Sequence, residues 1–248
     1  MKLEESDYLS LLRGDGLFET LRIEKGRIWF VSEHLYRLRR SAEALGFPEV
    51  GVLAAEKLLS EHPRDKDRLV RLTLLRSGRI LLDEREIEDR ELPLLTVLPG
   101  FYSPGDFFRE HKTISWGRSM EALRQARLRK ADEVIALSSS GLVGEGAAGN
   151  LFFRRPDHDH WVTPPVDGIL PGVYRKILLQ EARKAGIEVV ERDVHSAEIR
   201  SFTGAVITSA GWVAAPVKGI DERPLDLELG KELAHTLLVL FRDSPTPD

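Results

Sequence analysis

A lysine at position 112 and a glutamate at position 145 stand at the two ends of "KTISWGRSMEALRQARLRKADEVIALSSSGLVGEG". A site lysine can form a Schiff base when its amine is held where a carbonyl carbon can approach and its pKa is lowered. A carboxylate in a Gly-rich turn can come close to a cofactor, because small neighbours let it approach. Set against a ring nitrogen, Glu145 would keep that nitrogen protonated, since each charge favours the other. Taken singly, Lys112 also fits a solvated surface lysine, and Glu145 an exposed turn residue. Asn150, five residues on, either braces the loop or simply turns it.

Two stretches offer anion sites. "LPGVYRK" (170–176) opens a helix with Pro-Gly, and free N–H groups at a helix start bind phosphate well. "TSAGW" (208–212) is a small-residue loop after an apolar strand, a candidate phosphate nest. Neither has Walker or dinucleotide spacing, nor does "GDG" at 14–16. Arg37 lies on the polar side of its helix, where it either faces water or, if buried, clamps a phosphate bidentately. His158 and His160, in "RRPDHDHW", read as a polar hairpin turn rather than a metal pair, and no metal is expected. No Ser-His-Asp order stands out.

The elements that must position these residues mix strands and helices without strict alternation. "GLFETLRIEKGRIWF" predicts a hairpin turning at 24–26, and "SEHLYRLRRSAEALG" a helix with Ser32 as N-cap and Gly46 as its end. Helices are also expected at 52–59, 116–130, after "DGILPG" and over "DLELGKELAHTLLVLFRD". Strands are expected in "RLVRLTLLRSGRILL", "LPLLTVLP", 133–138, "IEVVERDV" and "GAVITSAGWVAAPV". The fold class is α+β, loosely α/β, in two subdomains: a small N-terminal α/β part over 1–100, a Pro/Gly-rich linker at 101–106, and a larger part over 107–248.

Composition narrows the classes. Hydrophobic residues make up 42% of 248, enough for a sizeable core, yet no apolar run reaches the roughly 18 residues of a spanning helix. Glu4, Glu5, Asp7, Asp15 and Glu19 make the first 20 residues unlike a secretory or mitochondrial signal, so a cytoplasmic protein is expected. Cysteine is absent, which removes disulfides, thiolate catalysis and Cys-based metal sites. The net charge of −4 suggests neither a nucleic-acid nor a membrane partner.

"GDGLFETLRI", "EHLYRLRRSAEALG", "HKTIS", "ADEVIAL", "GLVGEGAAGNLF", "GILPGVYRK" and "ITSAGWVAAPV" occur in one order over nearly the whole chain. In this the chain resembles the fold-type IV pyridoxal-phosphate enzymes, the group of branched-chain and D-amino-acid aminotransferases and 4-amino-4-deoxychorismate lyases. The resemblance implies pyridoxal 5′-phosphate as cofactor, a larger domain with a β-barrel-like core, and a homodimer acting on a small molecule. It carries the Schiff-base lysine to Lys112, the ring-nitrogen carboxylate to Glu145, and the phosphate arginine to Arg37, with His34 one turn before it. Phosphate-binding backbone falls on Val173, Tyr174, Ser209 and Ala210.

Some positions depart from the pattern. Gly117 stands where branched-chain members often place a tyrosine, Ala210 where a threonine is common, and the segment after "LLRSGR" is short. "GDGLFETL" and "TSAG" look most like the deoxychorismate lyase branch. That implies conversion of 4-amino-4-deoxychorismate to 4-aminobenzoate and pyruvate, a step of folate biosynthesis, with Lys112 also the general base. The alternative is a branched-chain or D-amino-acid transaminase on the same site; a third reading is a non-catalytic protein on this fold. Phe18, Thr20, Arg76 and Arg79 are the candidates for the substrate pocket.

Overall fold

The computed structural model describes residues 3–243. They form two compact units: residues 3–88 with 111–116, and residues 89–110 with 117–243. The border expected near residue 100 does not coincide with this division. Strand β5 (Leu94–Pro99) pairs in parallel with β6 (Glu133–Leu137), which ties it to the second unit. The stretch 111–116 rejoins the first unit through an antiparallel bridge from Thr113 to Leu17. The expected linker, 101–106, lies within the second unit, where the Tyr102 hydroxyl donates to the Asp167 carbonyl at 2.6 Å.

In the first unit, β1 (Gly16–Glu24), β2 (Arg27–Ile28), β3 (Arg68–Leu75) and β4 (Ile80–Glu86) form an antiparallel sheet in the order β2-β1-β3-β4. The expected hairpin is present. Its two turn residues, Lys25 and Gly26, have φ of 53° and 73°, the left-handed pair whose twist matches the flanking strands. Strand alternation sends Leu17, Leu21 and Ile23 to one face, where Val70, Leu72 and Leu74 join them. Helices α2 (Val31–Ala44) and α3 (Glu49–Glu61) bury Leu38, Ala42, Val52, Ala55 and Leu59 in the same core. Helix α2 starts earlier than Ser32: its N-cap is Phe30, at φ 56°. Helix α1 (Glu5–Arg13), unforeseen in the sequence, opens with a reciprocal cap between Glu4 and Asp7 and stops at Gly14, φ 66°.

The second unit holds two sheets. One runs β11-β10-β7-β8-β9, built from β7 (Asn150–Arg154), β8 (Trp161–Thr163), β9 (Val189–Glu191), β10 (Gly204–Ser209) and β11 (Val213–Pro216). The other runs β13-β12-β5-β6, with β12 (Gly219–Ile220) and β13 (Arg223–Pro224). Leu95 and Ile135 of one share a core with Leu151, Phe153 and Ile207 of the other. Neither sheet closes on itself, so the barrel-like core expected from the sequence is a pair of open sheets. The long helices of this unit are α4 (Gly117–Leu128), α5 (Val173–Lys184) and α6 (Leu227–Asp243). Among the described residues no helix is long and apolar enough to cross a membrane.

Candidate active site

Lys112 owes its position to the free edge of β1. The Phe18 N–H donates to the Lys112 carbonyl at 2.8 Å, and the Ile114 N–H to the Gly16 carbonyl at 2.9 Å, so the 112–114 stretch runs as a short added strand. His111 anchors it from behind, its Nδ1 lying 3.0 Å from the buried Ser41 hydroxyl on α2. The Lys112 ammonium sits 4.5 Å from the centroid of the Phe18 ring. Phe18 also packs edge to face on Trp116, with centroids 6.1 Å apart. On the same sheet face, the Arg71 guanidinium lies 3.8 Å from the Phe18 centroid. Arg71 is half-buried, and among the described residues its guanidinium has no hydrogen-bond acceptor. Burial pulls its pKa down, only partly opposed by Asp83.

Arg37 is buried rather than exposed, at 7% of its free surface. It holds Glu19 in two charge-assisted bonds, Nε to Oε1 at 2.8 Å and Nη2 to Oε2 at 2.6 Å. His34, one turn before Arg37, approaches the same carboxylate through Nδ1 at 2.7 Å. Burial alone would raise the Glu19 carboxyl; Arg37, helped by His34, outweighs it and holds the pKa at about 2. Burial also lowers the His34 pKa against the pull of Glu19. The ring is therefore neutral, with its proton on Nδ1 facing the carboxylate.

In the second unit, Glu145 is likewise buried, at 6% exposure. Arg109 Nη2 donates to its Oε1 at 2.7 Å; the Leu170 N–H and Asn150 Nδ2 donate to Oε2 at 3.2 and 3.3 Å. Asn150 is thus the brace rather than a plain turn residue, and it also donates to the Leu170 carbonyl at 3.0 Å. Its Oδ1 would lie 1.9 Å from a Cβ at Gly172, which demands glycine at the N-cap of α5. The loop behind Glu145 is held by Glu133, whose buried carboxylate accepts the N–H groups of Val134, Ala147 and Ala148 at 2.8, 2.8 and 2.7 Å. Burial pushes the Glu133 pKa up to about 7 against the pull of those three amides.

Val173 and Tyr174 begin α5, and no side chain caps that helix start. Ser209 ends β10 and Ala210 opens the turn to β11, with the Trp212 N–H donating to the Ser209 hydroxyl at 3.1 Å. The buried Thr208 hydroxyl, next to them, has no hydrogen-bond partner among the described residues.

Thr20 lies two residues along β1 from Phe18, so it shares that ring's face of the sheet. Arg76 and Arg79 do not belong there. Arg76 forks onto Asp15, Nη2 to Oδ1 at 2.7 Å, donates to the Leu45 carbonyl at 2.8 Å and covers Phe47. Arg79 pairs with Asp7 and Glu4, each at 3.0 Å. Both guanidiniums tie α1 and its exit turn to the rest of the first unit. The sequence reading overlooked Glu19, Arg71, Arg109 and Glu133. A signal existed for Glu19, a lone charge in the apolar alternation Leu17, Leu21, Ile23, and for Glu133 at the head of an apolar run. Arg71 and Arg109 carried none.

Comparison with known proteins settles the family. Residues 16–220 match the family described as "Amino-transferase class IV". The chain belongs to the class IV aminotransferases. These are enzymes of fold type IV that use pyridoxal 5′-phosphate. Among relatives, the bifunctional aminodeoxychorismate lyase/D-amino acid transaminase of Mycobacterium tuberculosis is 27% identical, over 91% of this chain and 88% of its own. A Methanocaldococcus jannaschii protein provisionally named a branched-chain-amino-acid aminotransferase is also 27% identical, over 95% and 89%. The PLP-bound form of a hypothetical aminotransferase from Mycobacterium tuberculosis superposes with a TM-score of 0.79 at 25% identity, covering 96% of this chain and 94% of that one. Taken unit by unit, the groups present are of the kinds the cofactor requires: in the first the Lys112 amine and the buried Arg37, in the second the buried Glu145 carboxylate, the uncapped start of α5 and the buried Thr208 hydroxyl.

The Glu19 pairing makes a stability prediction. Glu19→Gln leaves Arg37 buried without its counter-charge, a loss of about 3–5 kcal/mol in a urea titration at pH 7. Because the folded-state pKa of Glu19 lies below its ordinary value of 4.5, its stabilisation is present above that value and is lost as pH falls through about 2. The variant should lack that acid-side component. A variant as stable as the parent at both pH 7 and pH 3 would remove Glu19 from this role.

Proposed function

We propose that this enzyme is a lyase converting 4-amino-4-deoxychorismate to 4-aminobenzoate and pyruvate. The observation that carries the reading is the cluster on one sheet face: the Lys112 amine 4.5 Å, and a half-buried acceptor-less Arg71 guanidinium 3.8 Å, from the same Phe18 ring. The substrate is a cyclohexadiene ring bearing an amine at one end and a carboxylate at the other, with a second carboxylate on its enolpyruvyl ether, and its product ring is flat. Phe18 and Trp116 give a ring an aromatic surround, and a guanidinium short of an acceptor suits a carboxylate. The Mycobacterium tuberculosis relative that carries both activities supports the same substrate class.

Pyridoxal phosphate, when bound, supplies an electron-withdrawing ring that stabilises negative charge on the reacting carbon. Lys112 would hold the cofactor through its amine and yield it to the substrate amine. Its freed Nζ would then take the C4 proton as the bond to the enolpyruvyl oxygen breaks, and the ring would become aromatic. Arg37, held by Glu19, would bind the cofactor phosphate, with the backbone of Val173, Tyr174, Ser209 and Ala210 as further donors. Glu145 would meet the ring nitrogen. Arg71 holds the substrate carboxylate. The second reading, an amino-acid transaminase, draws on the branched-chain name given to the Methanocaldococcus jannaschii relative and uses the same groups, Lys112 moving a proton between two carbons.

Incubation with 4-amino-4-deoxychorismate, and separately with amino-acid/keto-acid pairs, decides between them. The lyase releases 4-aminobenzoate with equimolar pyruvate; transamination without 4-aminobenzoate would replace the first reading by the second. Lys112→Ala should abolish turnover and borohydride trapping of the cofactor. If trapping persists, another lysine is the anchor.

Arg71→Gln should raise KM about tenfold or more, the equivalent of about 1.5–3 kcal/mol for a hydrogen bond to a charged group, with a smaller effect on kcat. An unchanged KM would place the substrate carboxylate elsewhere.

The same reading makes the protein a homodimer: α3 leaves Val50 and Leu53 66% and 52% exposed, more apolar surface than a lone helix face needs. Sedimentation at the dimer mass is the expected result. A fully active monomer would contradict it.

A further inference from the structure

Arg109 has no part in the roles assigned above, yet it makes a direct ion pair with Glu145. Its Nη2 lies 2.7 Å from Oε1, inside the usual range for a charge-assisted bond. The contact is built rather than incidental. Arg109 is 21% exposed and Glu145 8% by side chain, so water screens the pair weakly. The arginine rides on a short 3₁₀ turn, Phe107–Glu110, and its Nη1 reaches the buried Ser119 hydroxyl at 3.3 Å on the first turn of α4. Its fork is thereby aimed from two sides. On the other oxygen, Leu170 and Asn150 hold the carboxylate at its far edge. Glu133 and Tyr102 also lie within electrostatic reach of Glu145.

A carboxylate that already accepts a guanidinium shares its negative charge, so it favours positive charge on a neighbouring ring nitrogen less than a lone carboxylate would. The guanidinium's own positive charge acts in the same direction. We propose that Arg109 is a positioning residue that acts through Glu145: it fixes the carboxylate's orientation and attenuates it as the partner of the cofactor's ring nitrogen. This rests on the reading that Glu145 meets that nitrogen. Its consequence is reaction control. A damped ring nitrogen makes a shallower electron sink. That suffices for an elimination whose leaving group departs as charge develops, and it disfavours a transamination that must hold the full charge.

The test uses the holoenzyme loaded with cofactor labelled with ¹⁵N at the ring nitrogen. In Arg109→Met the ring-nitrogen resonance should shift toward its fully protonated position, and the ratio of transamination to elimination should rise. Arg109→Lys, which restores a positive charge, should return the resonance most of the way to the parent value. Ser119→Ala, which loosens the arginine without removing its charge, should give a smaller shift in the same direction as Arg109→Met. It also keeps the question answerable if Arg109→Met fails to fold. A resonance at the parent position in Arg109→Met, or in Ser119→Ala where only that variant folds, overturns the proposal. A mere packing role would lower yield or melting temperature in these variants and leave the resonance still. Glu145→Gln separates the two layers. If it leaves the resonance unmoved, Glu145 does not meet the ring nitrogen and the underlying reading fails. If it moves the resonance while the Arg109 variants do not, only the inference about Arg109 fails.

Discussion

A carboxylate shut away from water must be matched by opposite charge or by hydrogen-bond donors, and in the first unit that carboxylate is Glu19. It lies on the core face of β1, among leucines and isoleucine, at 2% exposure. Its only acceptable surroundings are donors, and α2 supplies them from two positions one turn apart, His34 and Arg37. Those bonds set the rotation of α2 against the sheet. They also lock the register of β1, because a slip of one residue would swing the whole apolar set, and Glu19 with it, to the opposite face. Phe18 consequently falls on the opposite face, where the Lys112 amine lies against its ring, while its N–H donates to the Lys112 carbonyl at the strand edge. The position of the Lys112 amine is a consequence of where one buried charge had to go.

The second unit solves a similar problem with backbone instead of arginine. Glu133 closes on three amides of its own neighbourhood, and the Gly-Ala-Ala-Gly run that follows Glu145 is small enough to bring two of those amides within reach. A Cβ at Gly146 would stand 2.9 Å from the Gly149 carbonyl and 3.2 Å from the Glu133 carboxylate, so a larger residue would break the arrangement. Gly144 is hemmed in by the Tyr102 ring in the same way, at 2.5 Å. The loop that presents Glu145 is rigid because its hydrogen bonds are satisfied from beneath, and its carboxylate is aimed because three further donors hold it from above.

Each unit therefore fixes its buried charges with donors of its own, so those groups are held in place without any ligand. Arg71 is the contrast. It packs on Phe18, half-buried, with no hydrogen-bond acceptor among the described residues.

The elements were mostly readable from the sequence, since hydrophobic period and turn residues act locally. The 24–26 hairpin turn, the helix from "EHLYRLRR", the strand before "GLVGEG" and the helix opened by Pro-Gly all follow from neighbouring residues alone. The order of seven short motifs was enough to reach the family. What the sequence could not show was pairing between residues far apart. Glu19 and Arg37 are 18 positions apart, Arg109 and Glu145 are 36, and the partners of Arg76 and Arg79 lie 61 and 75 positions away. An arginine written in a sequence carries the same charge whether it faces substrate, closes a helix onto a sheet or steadies a carboxylate. The sequence by itself determined which residue types were available and which stretches would become strands and helices. Only the tertiary structure decided which charges were buried, because burial is a property of everything packed around a side chain, and it is burial that turns an ordinary ion pair into a fixed part of the site.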